Sequence, residues 1–234
     1  MLYFNSKELP KPQNKYVSWI DIMGIQEKMS RSLAESANFI SKFHMAVSKN
    51  INDDILIYPI MDAVYATSTK RTSMTDFINA LFSDMFSEFS NEPKEIYKFI
   101  IRCSLAFGPV IHGKDIPDSA FQKTAGTIDK NNWIEMKYRE SILLGIPMIQ
   151  AHQSERHAPP FGVFIHESAR SFAQGSTNPI PLSWHKWFDD ADGCNKHKEV
   201  EKYFSWCRQN SFRIGYAEEK IDLHDKMAKQ YFCG

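Results

Sequence analysis

The chain has 234 residues, of which 43% are hydrophobic and 13% aromatic, enough to bury the core of one large domain or two small ones. Its 28 basic and 28 acidic side chains leave a formal net charge of zero. Proteins that bind nucleic acid broadly present a basic face, so this balance argues against nucleic acid as a partner. A net charge of zero is still compatible with a small anionic ligand that is held by a few local groups.

Neither a membrane span nor a cysteine motif is evident in the sequence. No apolar run approaches the ~20 residues that a transmembrane helix requires, and the N-terminus lacks the charged-then-apolar layout of a secretion signal. The four cysteines include no C-x-x-C pair and are scattered, at Cys103, Cys194, Cys207 and Cys233. We therefore expect a cytoplasmic protein with no membrane contact, no disulfide bonds and no structural zinc site.

The first half of the chain alternates between strand-like and helix-like patterns. Residues 1–14 are polar, and we predict that they form an N-terminal arm. Apolar spacing and turn residues then predict a strand over 15–24, a helix from 26 to about 47, a hairpin over 55–68, a helix over 73–89 opened by Ser73 as a cap, and a strand over 96–107. Gly108 and Gly113 around an apolar pair predict a sharp turn after that strand.

The second half of the chain is less regular. Residues 114–140 give no clear pattern. The remainder is predicted as a strand over 141–144, a helix over 145–156, a strand over 162–165, a helical turn over 167–172 and helices near 196–210 and 217–232. This order favours an α+β fold, with helices covering one face of a mainly antiparallel sheet. We predict a main domain over 15–174 and a C-terminal helical extension over 175–234 packed on it.

Two acidic residues stand at the ends of apolar strands. Asp62 lies between two strand-like runs, at the predicted tip of the hairpin, and Asp21 lies near the end of the first strand. An aspartate in a turn often does no more than bond nearby backbone amides, and such a structural role is the alternative for both residues. Two carboxylates placed in this way are also what a two-metal phosphoryl-transfer site requires.

Four motifs, in sequence order, resemble those of the class III nucleotidyl cyclases. The run Asp21-Ile22-Met23-Gly24 is similar to the family's first metal-binding motif, and Asp62-Ala63-Val64-Tyr65-Ala66 is similar to its second. Arg102, Ser104 and residues 108–113 are similar to a later strand of the family. Residues 145–151 and 161–168 resemble its dimer-interface helix and the strand that follows. The resemblance covers roughly residues 15–170 and leaves the C-terminal region unassigned.

The resemblance implies a ferredoxin-like βαββαβ core in a cyclase catalytic domain over 15–174. It implies that Asp21, Asp62 and the backbone carbonyl of Ile22 hold two Mg²⁺ or Mn²⁺ ions. Phosphate would be bound by the loop after the first strand and by one cation, that is by Met23, Gly24, Ile25, Gln26 and Arg102, although Arg102 is also a plausible structural residue of its strand. The family further implies a homodimer whose two chains share each active site.

Several positions depart from the family's purine-specific pattern. The place of one base-reading residue is taken by Tyr58, and the place of the other by Ile142. The family's transition-state Asn and Arg fall at Ile149 and Gln153, so neither is kept. Gln153 and Arg156 are candidates to replace them, and a solvated surface position is the alternative for both.

These departures favour a pyrimidine nucleotide. A purine edge buried without polar partners is strongly disfavoured. The bulky Tyr58 is expected to fill the space of the second purine ring, with its hydroxyl free to bond a small base edge. Metal-binding acids combined with a tyrosine at this position resemble the Pycsar cyclases, bacterial anti-phage enzymes that make cyclic UMP or cyclic CMP. The resemblance implies one of these two activities. UTP is favoured as the substrate because no acidic side chain is evident to receive the amino group of cytosine, and CTP is the alternative.

Two further interpretations stay open. A catalytically silent cyclase-like module would bind a nucleotide or a partner without needing the two aspartates. A diguanylate cyclase is disfavoured, because the Gly-Gly-acid-acid-aromatic signature of that family is absent. If the cyclase interpretation is right, a cyclic-nucleotide-sensing effector is reached through the product and not by direct binding.

Overall fold

A mixed sheet runs through the computed structural model, which describes residues 6–24, 29, 32–117, 139–170 and 184–234. Within these residues the strands are β1 (Gln13–Ile22), β2 (Leu56–Ile60), β3 (Ala63–Ser68), β4 (Ile101–His112), β5 (Leu143–Gly145), β6 (Val163–Ile165) and β7 (Trp184–His185). They are ordered β2-β3-β1-β4-β6-β7, and β5 also pairs with β4. The β4–β6 pair is parallel and the other described pairs are antiparallel, which confirms the predicted α+β class with a mainly antiparallel sheet.

Helices precede, separate and follow these strands. Those described are α1 (Leu33–Asn50), α2 (Arg71–Asn91), α3 (Ile146–Ser154), α4 (Glu167–Arg170), α5 (Asp190–Gln209), α6 (Ser211–Ile214) and α7 (Glu218–Cys233). Short 3₁₀ turns lie at Ser6–Glu8, Glu95–Tyr97, Gly113–Asp115 and Glu155–His157. None of the described helices combines the length and the apolar character that crossing a bilayer requires.

The two faces of the sheet are covered differently. Side chains alternate along a strand, so Tyr16 and Ile20 of β1 join the larger core, to which the long helices α1, α2, α5 and α7 all contribute. Val17 and Trp19 belong instead to a smaller core that includes Ala151 of α3. The predicted helical layer on one face therefore holds for the long helices, while the short α3 packs on the opposite face.

The two long C-terminal helices share the core of the sheet. Val200 and Phe204 of α5 and Tyr231 of α7 are fully buried within it. Tyr203, also buried in α5, stacks on Trp206 with an interplanar angle of 20° and ring centroids 6.1 Å apart. Helices α5 and α7 also pack against each other, so the C-terminal region lies against the same body as the sheet.

The structure pairs Cys194 of α5 with Cys233 of α7 as a disulfide, with Cα atoms 4.9 Å apart. The expectation of a chain without disulfides is therefore wrong. The two cysteines are separated by 39 residues in sequence, and they meet because α5 packs against α7. The spacing of the cysteines along the sequence does not indicate that these two helices are in contact. The other two cysteines, Cys103 and Cys207, are buried and take no part in a disulfide.

Strand β4 runs straight through the glycine-containing segment where a sharp turn was predicted. It begins at Ile101, after the 3₁₀ turn at Glu95–Tyr97, and continues to His112. Gly108 has a φ of 157°, and a Cβ placed on it would lie 2.9 Å from Cγ of Pro147 in α3. The glycine thus allows a close approach between β4 and α3 and does not reverse the chain.

The two long N-terminal helices begin differently. The Ser32 side chain caps α1 by accepting a hydrogen bond from the Glu35 amide at 3.3 Å, while the predicted start near residue 26 lies outside the described residues. Helix α2 begins at Arg71, two residues before the predicted Ser73 cap. The Ser73 hydroxyl donates instead to the Asp54 carboxylate at 2.8 Å, so it ties the helix to the preceding turn.

Candidate active site

Two neighbouring strand ends bring the predicted acidic residues together. In the antiparallel pairing of β1 with β3, Asp21 lies opposite Ala63, the residue directly after Asp62. The Ile22 amide donates a hydrogen bond to the Asp62 carbonyl at 3.3 Å. The register of two paired strands therefore fixes the separation of the two aspartates, as expected for residues that act on one ligand.

The tip of the β2–β3 hairpin is fixed by a residue of α1. Met61 has a φ of 50°, a left-handed conformation that non-glycine residues seldom adopt. Nε2 of His44 lies 2.7 Å from the Met61 carbonyl oxygen and hydrogen-bonds to it. This contact ties the turn to the helical layer and so orients the next residue, Asp62.

Asp21 and Asp62 line a single cavity of about 320 Å³. Its walls come from the ends of β1 and the hairpin, from the start of β4, and from the C-terminal region. The described lining residues are Asp21, Ile22, Met23, Gly24, Asp62, Ile100, Arg102, Tyr203, Ile214, Gly215, Tyr216, Lys220 and His224. A two-metal site would be excluded if the two acids lay on different sides of the sheet. The structure instead places both acids at one cavity.

Negative charge is in excess at the acidic end of this cavity. The pKa of Asp21 is raised to about 8, first by burial and then by the neighbouring Glu155 and Asp62 carboxylates, against the opposing effect of Arg102. The Arg102 guanidinium forms an ion pair with Glu155. Asp21 thus lies near two other carboxylates and the Arg102 guanidinium, and carboxylates held close together in this way are stabilised by binding a cation.

The donor set fits Mg²⁺ or Mn²⁺. Both ions prefer oxygen ligands, and Mg²⁺ is commonly held by one or two carboxylates together with phosphates of the substrate. Asp21 and Asp62 would supply the carboxylates, and Ile22 lines the same cavity. Among the described residues no group of three or more His, Cys, Asp and Glu side chains forms a ready-made metal site, so a bound ion would need oxygen atoms from the substrate as well.

The predicted phosphate loop is only partly suited to its role. Met23 and Gly24 line the cavity, but the Met23 amide already donates to the Ile100 carbonyl at 2.8 Å. That amide is therefore not available to a phosphate. Gly24 is exposed, with a φ of 69°. The other two predicted residues, Ile25 and Gln26, lie outside the described residues.

Tyr58 forms a separate polar cluster with His112 at the end of β4. Its side chain is 5% exposed, and its hydroxyl oxygen forms a short hydrogen bond with Nδ1 of His112. The expectation of a free hydroxyl is therefore wrong, because a buried hydroxyl needs a partner and β4 supplies one. Burial raises the pKa of Tyr58 to about 12 and lowers the pKa of His112 to about 4, so both groups are neutral at pH 7.

Tyr58, Gln153 and Arg156 are not among the residues that line the acidic cavity of their own chain. Gln153 and Arg156 are exposed on and after α3, and the Arg156 side chain contacts the neighbouring His157. All three would reach an active site only from a second copy of the chain, which is the arrangement that the sequence resemblance implies.

The sequence did not point to several residues that the structure brings to the site. Glu155 beside Asp21 and His112 beside Tyr58 were missed, although both lie within or next to the motifs that carry the resemblance. The C-terminal part of the lining was missed entirely: Tyr203, Ile214, Gly215, Tyr216, Lys220 and His224. These six residues lie in the stretch that matched no known pattern, and their role follows from tertiary packing alone.

Comparison with solved structures identifies the fold. A bacterial light-regulated adenylyl cyclase matches 74% of this chain and 48% of its own length, with a TM-score of 0.52 and 14% sequence identity. A second structure described in the same terms gives a TM-score of 0.51 at 15% identity, over 74% of this chain and 49% of that one. The chain has the fold of class III nucleotidyl cyclase domains. No family model and no curated protein matches the sequence.

A dimeric guanylyl cyclase domain of the RhoGC fusion protein from the aquatic fungus Blastocladiella emersonii also matches. It covers 70% of this chain and 84% of its own, with 20% identity and a TM-score of 0.49. The fold assignment rests on the two bacterial structures, whose TM-scores lie above 0.5. At these identities the likeness concerns the cyclase fold, and the substrate has to be argued from the residues of the site.

Proposed function

We propose that the protein is a nucleotidyl cyclase that converts UTP to 3′,5′-cyclic UMP and pyrophosphate. The observation that carries this proposal is that Asp21 and Asp62, from paired strand ends of a cyclase fold, line one cavity. Beside them lie one further carboxylate and one guanidinium, Glu155 and Arg102. A metal-bound nucleoside triphosphate supplies the positive and negative charges that such a cavity accommodates.

The chain's own residues would perform three tasks. Asp21 and Asp62, with the carbonyl of Ile22, would hold the two Mg²⁺ or Mn²⁺ ions, whose chemistry is to lower the pKa of the ribose 3′-hydroxyl and to balance the charge of the triphosphate. Arg102 would bind phosphate oxygens and, through its ion pair with Glu155, hold that carboxylate in place. The walls of the cavity would keep the 3′-oxygen in line with the α-phosphorus.

Selectivity for a pyrimidine is supported by the two base-reading positions. Ile142 offers a base no hydrogen bond, and Tyr58 is a large side chain whose hydroxyl is held by His112. Because a neutral imidazole protonated at Nε2 leaves Nδ1 as an acceptor, we assign the phenol as donor to His112. The phenol oxygen then accepts from a base. Uracil offers its N3–H and cytosine its amino group, so CTP is the alternative substrate and cyclic CMP the alternative product.

A homodimer with shared sites is supported by the exposed surface of α3. Ile146 and Ile149 are 63% and 58% exposed, and Leu144 directly before the helix is 45% exposed. Apolar residues grouped on one short element mark a surface that a partner covers. A second copy docked there would bring its Tyr58 towards the acidic cavity and give two equivalent active sites.

The experiment is incubation of the purified protein with Mn²⁺ and each of the four nucleoside triphosphates, followed by chromatography of the products. We expect cyclic UMP from UTP, or cyclic CMP if CTP is the substrate, and no cyclic purine nucleotide. Asp62→Ala should abolish product formation. Asp53→Ala, an exposed acid in the turn before β2, is the matched control and should leave it unchanged. Absence of a cyclic product from all four triphosphates would reject the proposal.

The sequence resemblance extends the proposal to a role in anti-phage defence. The cyclic nucleotide would act as a second messenger on a cytoplasmic effector that senses it, without direct contact between effector and cyclase. The alternative is a catalytically silent regulatory module, which the loss of the family's transition-state residues at Ile149 and Gln153 favours. In phage-challenged cells, Asp21→Ala and Asp62→Ala should remove protection if the protein is an enzyme and preserve it if the module is silent.

A further inference from the structure

The C-terminal region forms one wall of the acidic cavity. Helix α6 ends at Ile214 and is capped by Gly215, whose φ of 65° is left-handed, a conformation that glycine adopts without steric cost. The chain then turns and begins α7 at Glu218. Gly215 and Tyr216 in this turn, and Lys220 in the first turn of α7, line the cavity that holds Asp21 and Asp62.

Several contacts fix this wall in position. Ile221, next to Lys220, is fully buried in the larger core. Arg208 of α5 donates to Asp222 at 2.8 Å and to Asp225 at 2.6 Å, which ties α7 to α5. Since the helix backbone is held on both sides, the start of the Lys220 side chain is placed before any ligand arrives.

The hydroxyl of Tyr216 adds a hydrogen bond to Nδ1 of His224, one helical turn beyond Lys220. Both of these residues also line the cavity. The contact therefore closes the turn before α7 onto the helix itself, on the side that faces the acids.

Acidic and basic side chains line the same cavity. Asp21 and Asp62 lie at the strand ends. Burial, followed by the nearby Arg102 and Lys220, lowers the pKa of His224 to about 4. The two cations are therefore close enough to the same imidazole to act on it. Among the described residues, the ion pairs of α7 are made by Asp222 and Asp225 and do not include Lys220.

A polyphosphate requires this combination of charges. Its metal ions are held by carboxylates, while its outer oxygens are bound by cations that the metals do not neutralise. The lysine ammonium is a compact charge on a flexible stem and is suited to a phosphate that must enter and leave. The α3 positions that carry the family's transition-state residues are here Ile149 and Gln153, and neither supplies a positive charge.

We infer that Lys220 binds the polyphosphate of the nucleotide, from the same chain that supplies Asp21 and Asp62. The C-terminal extension would thus be a working part of the active site. The inference rests on the proposed function for the identity of the nucleotide. It does not depend on that function for the charge of the ligand, because every metal–polyphosphate complex carries the same kind of charge.

The first test measures binding of inorganic triphosphate in the presence of Mn²⁺ by titration calorimetry. Lys220→Met keeps the length of the stem and removes the charge, and we expect it to weaken binding by about tenfold or more. Lys220→Arg should restore most of the affinity. Lys229→Met, an exposed lysine of the same helix that does not line the cavity, is the matched control and should bind as the wild type does.

This assay separates failure of the inference from failure of the proposed function. Equal affinities for the wild type and Lys220→Met, or no triphosphate binding by the wild type, would overturn the inference. Weaker binding by Lys220→Met together with no cyclic product from any nucleoside triphosphate would uphold the inference and reject the cyclase. Lys220 is exposed, so its replacement should leave the thermal unfolding temperature unchanged, and a scan of each variant checks this.

The second test asks which chain supplies the lysine, in a mixture of Asp21→Ala and Lys220→Met subunits. If Lys220 acts on the acids of its own chain, each site in the mixed dimer lacks one of the two residues, so mixing does not raise activity above that of the separate variants. If the lysine reached the partner's acids, one site in each mixed dimer would be complete. Recovery of activity on mixing would therefore overturn the same-chain assignment.

Discussion

Two buried polar clusters lie beside the sheet, and they differ in how their charges are balanced. The acidic cluster consists of Asp21, Asp62 and Glu155 together with Arg102, which pairs with Glu155, and the pKa of Asp21 is raised to about 8 by burial and then by its acidic neighbours. The second cluster is the neutral pair of Tyr58 and His112, in which the hydroxyl and Nδ1 are hydrogen-bonded to each other. A cluster with unbalanced charge is completed by a ligand, whereas a balanced pair stabilises the fold without one. This difference distinguishes the two clusters experimentally.

The largest effect is expected from Asp21→Asn. Activity should fall by about a thousandfold or more, because a neutral amide is a poor ligand for Mg²⁺ or Mn²⁺. The metal-free variant should be at least as stable as the wild type, since a buried carboxylate beside Glu155 and Asp62 has been removed. The measurements are product formation and thermal unfolding in chelator. A marked loss of stability with retained activity would assign Asp21 a structural role.

A smaller effect is expected from Arg102→Met, which removes the cation of the acidic cluster. The change leaves Glu155 beside Asp21 without its ion-pair partner. We expect a loss of about 3 kcal/mol in the free energy of unfolding, as for other largely buried pairs from which one partner is removed. Chemical denaturation in chelator measures it. Added Mn²⁺ should return part of the loss, and a variant that unfolds like the wild type would show that the guanidinium is not needed to balance the acids.

Next in size is Tyr58→Phe in the balanced cluster. It leaves the buried His112 nitrogen without a partner, which should reduce the free energy of unfolding by about 2 kcal/mol. In contrast to Asp21→Asn, the Tyr58→Phe variant should lose stability when measured in chelator, and added Mn²⁺ should not restore that stability. A double-mutant cycle with His112→Ala isolates the coupling between the two side chains. Additive effects in that cycle would mean that the pair contributes nothing as a unit.

The most gradual effect is a pH dependence that comes from His112. Burial lowers its folded-state pKa to about 4, with Lys15 and Lys114 adding to the effect and Asp115 opposing it. Between pH 6.5 and 4 the unfolded chain binds a proton that the folded chain does not, so stability falls as pH decreases, with a slope of up to about 1.4 kcal/mol per pH unit. Denaturation midpoints of wild type and His112→Gln should diverge above pH 4 and keep a constant difference above pH 7. Parallel curves throughout this range would exclude a buried neutral histidine.

The sequence predicts the parts of the site that depend on local patterns. Asp21 and Asp62 could be placed at strand ends because alternation and turn residues mark a strand and a hairpin wherever they occur. The contacts between distant segments could not be predicted. Tyr58 and His112 are 54 residues apart in sequence, and Cys194 and Cys233 are separated by 39. Lys220 shares a cavity with Asp21 only because α7 packs on α5.

The glycines of β4 show a second limit of reading patterns from the sequence. Gly108 and Gly113 predict a sharp turn, whereas β4 continues through Gly108 to His112. The space next to Gly108 is occupied by Pro147 of α3. A glycine in a sequence indicates that something lies close to the backbone, and only the fold determines what that is.

The stacking of Tyr203 on Trp206 gives the cavity a built-in optical signal. Tyr203 lines the cavity on one side and contacts the indole on the other. A nucleotide bound in the cavity against Tyr203 will alter the surroundings of one of the five tryptophans of the chain, so the emission of Trp206 should change with occupancy. Comparison with Trp206→Phe would isolate that signal, and binding could then be followed without a label and without turnover.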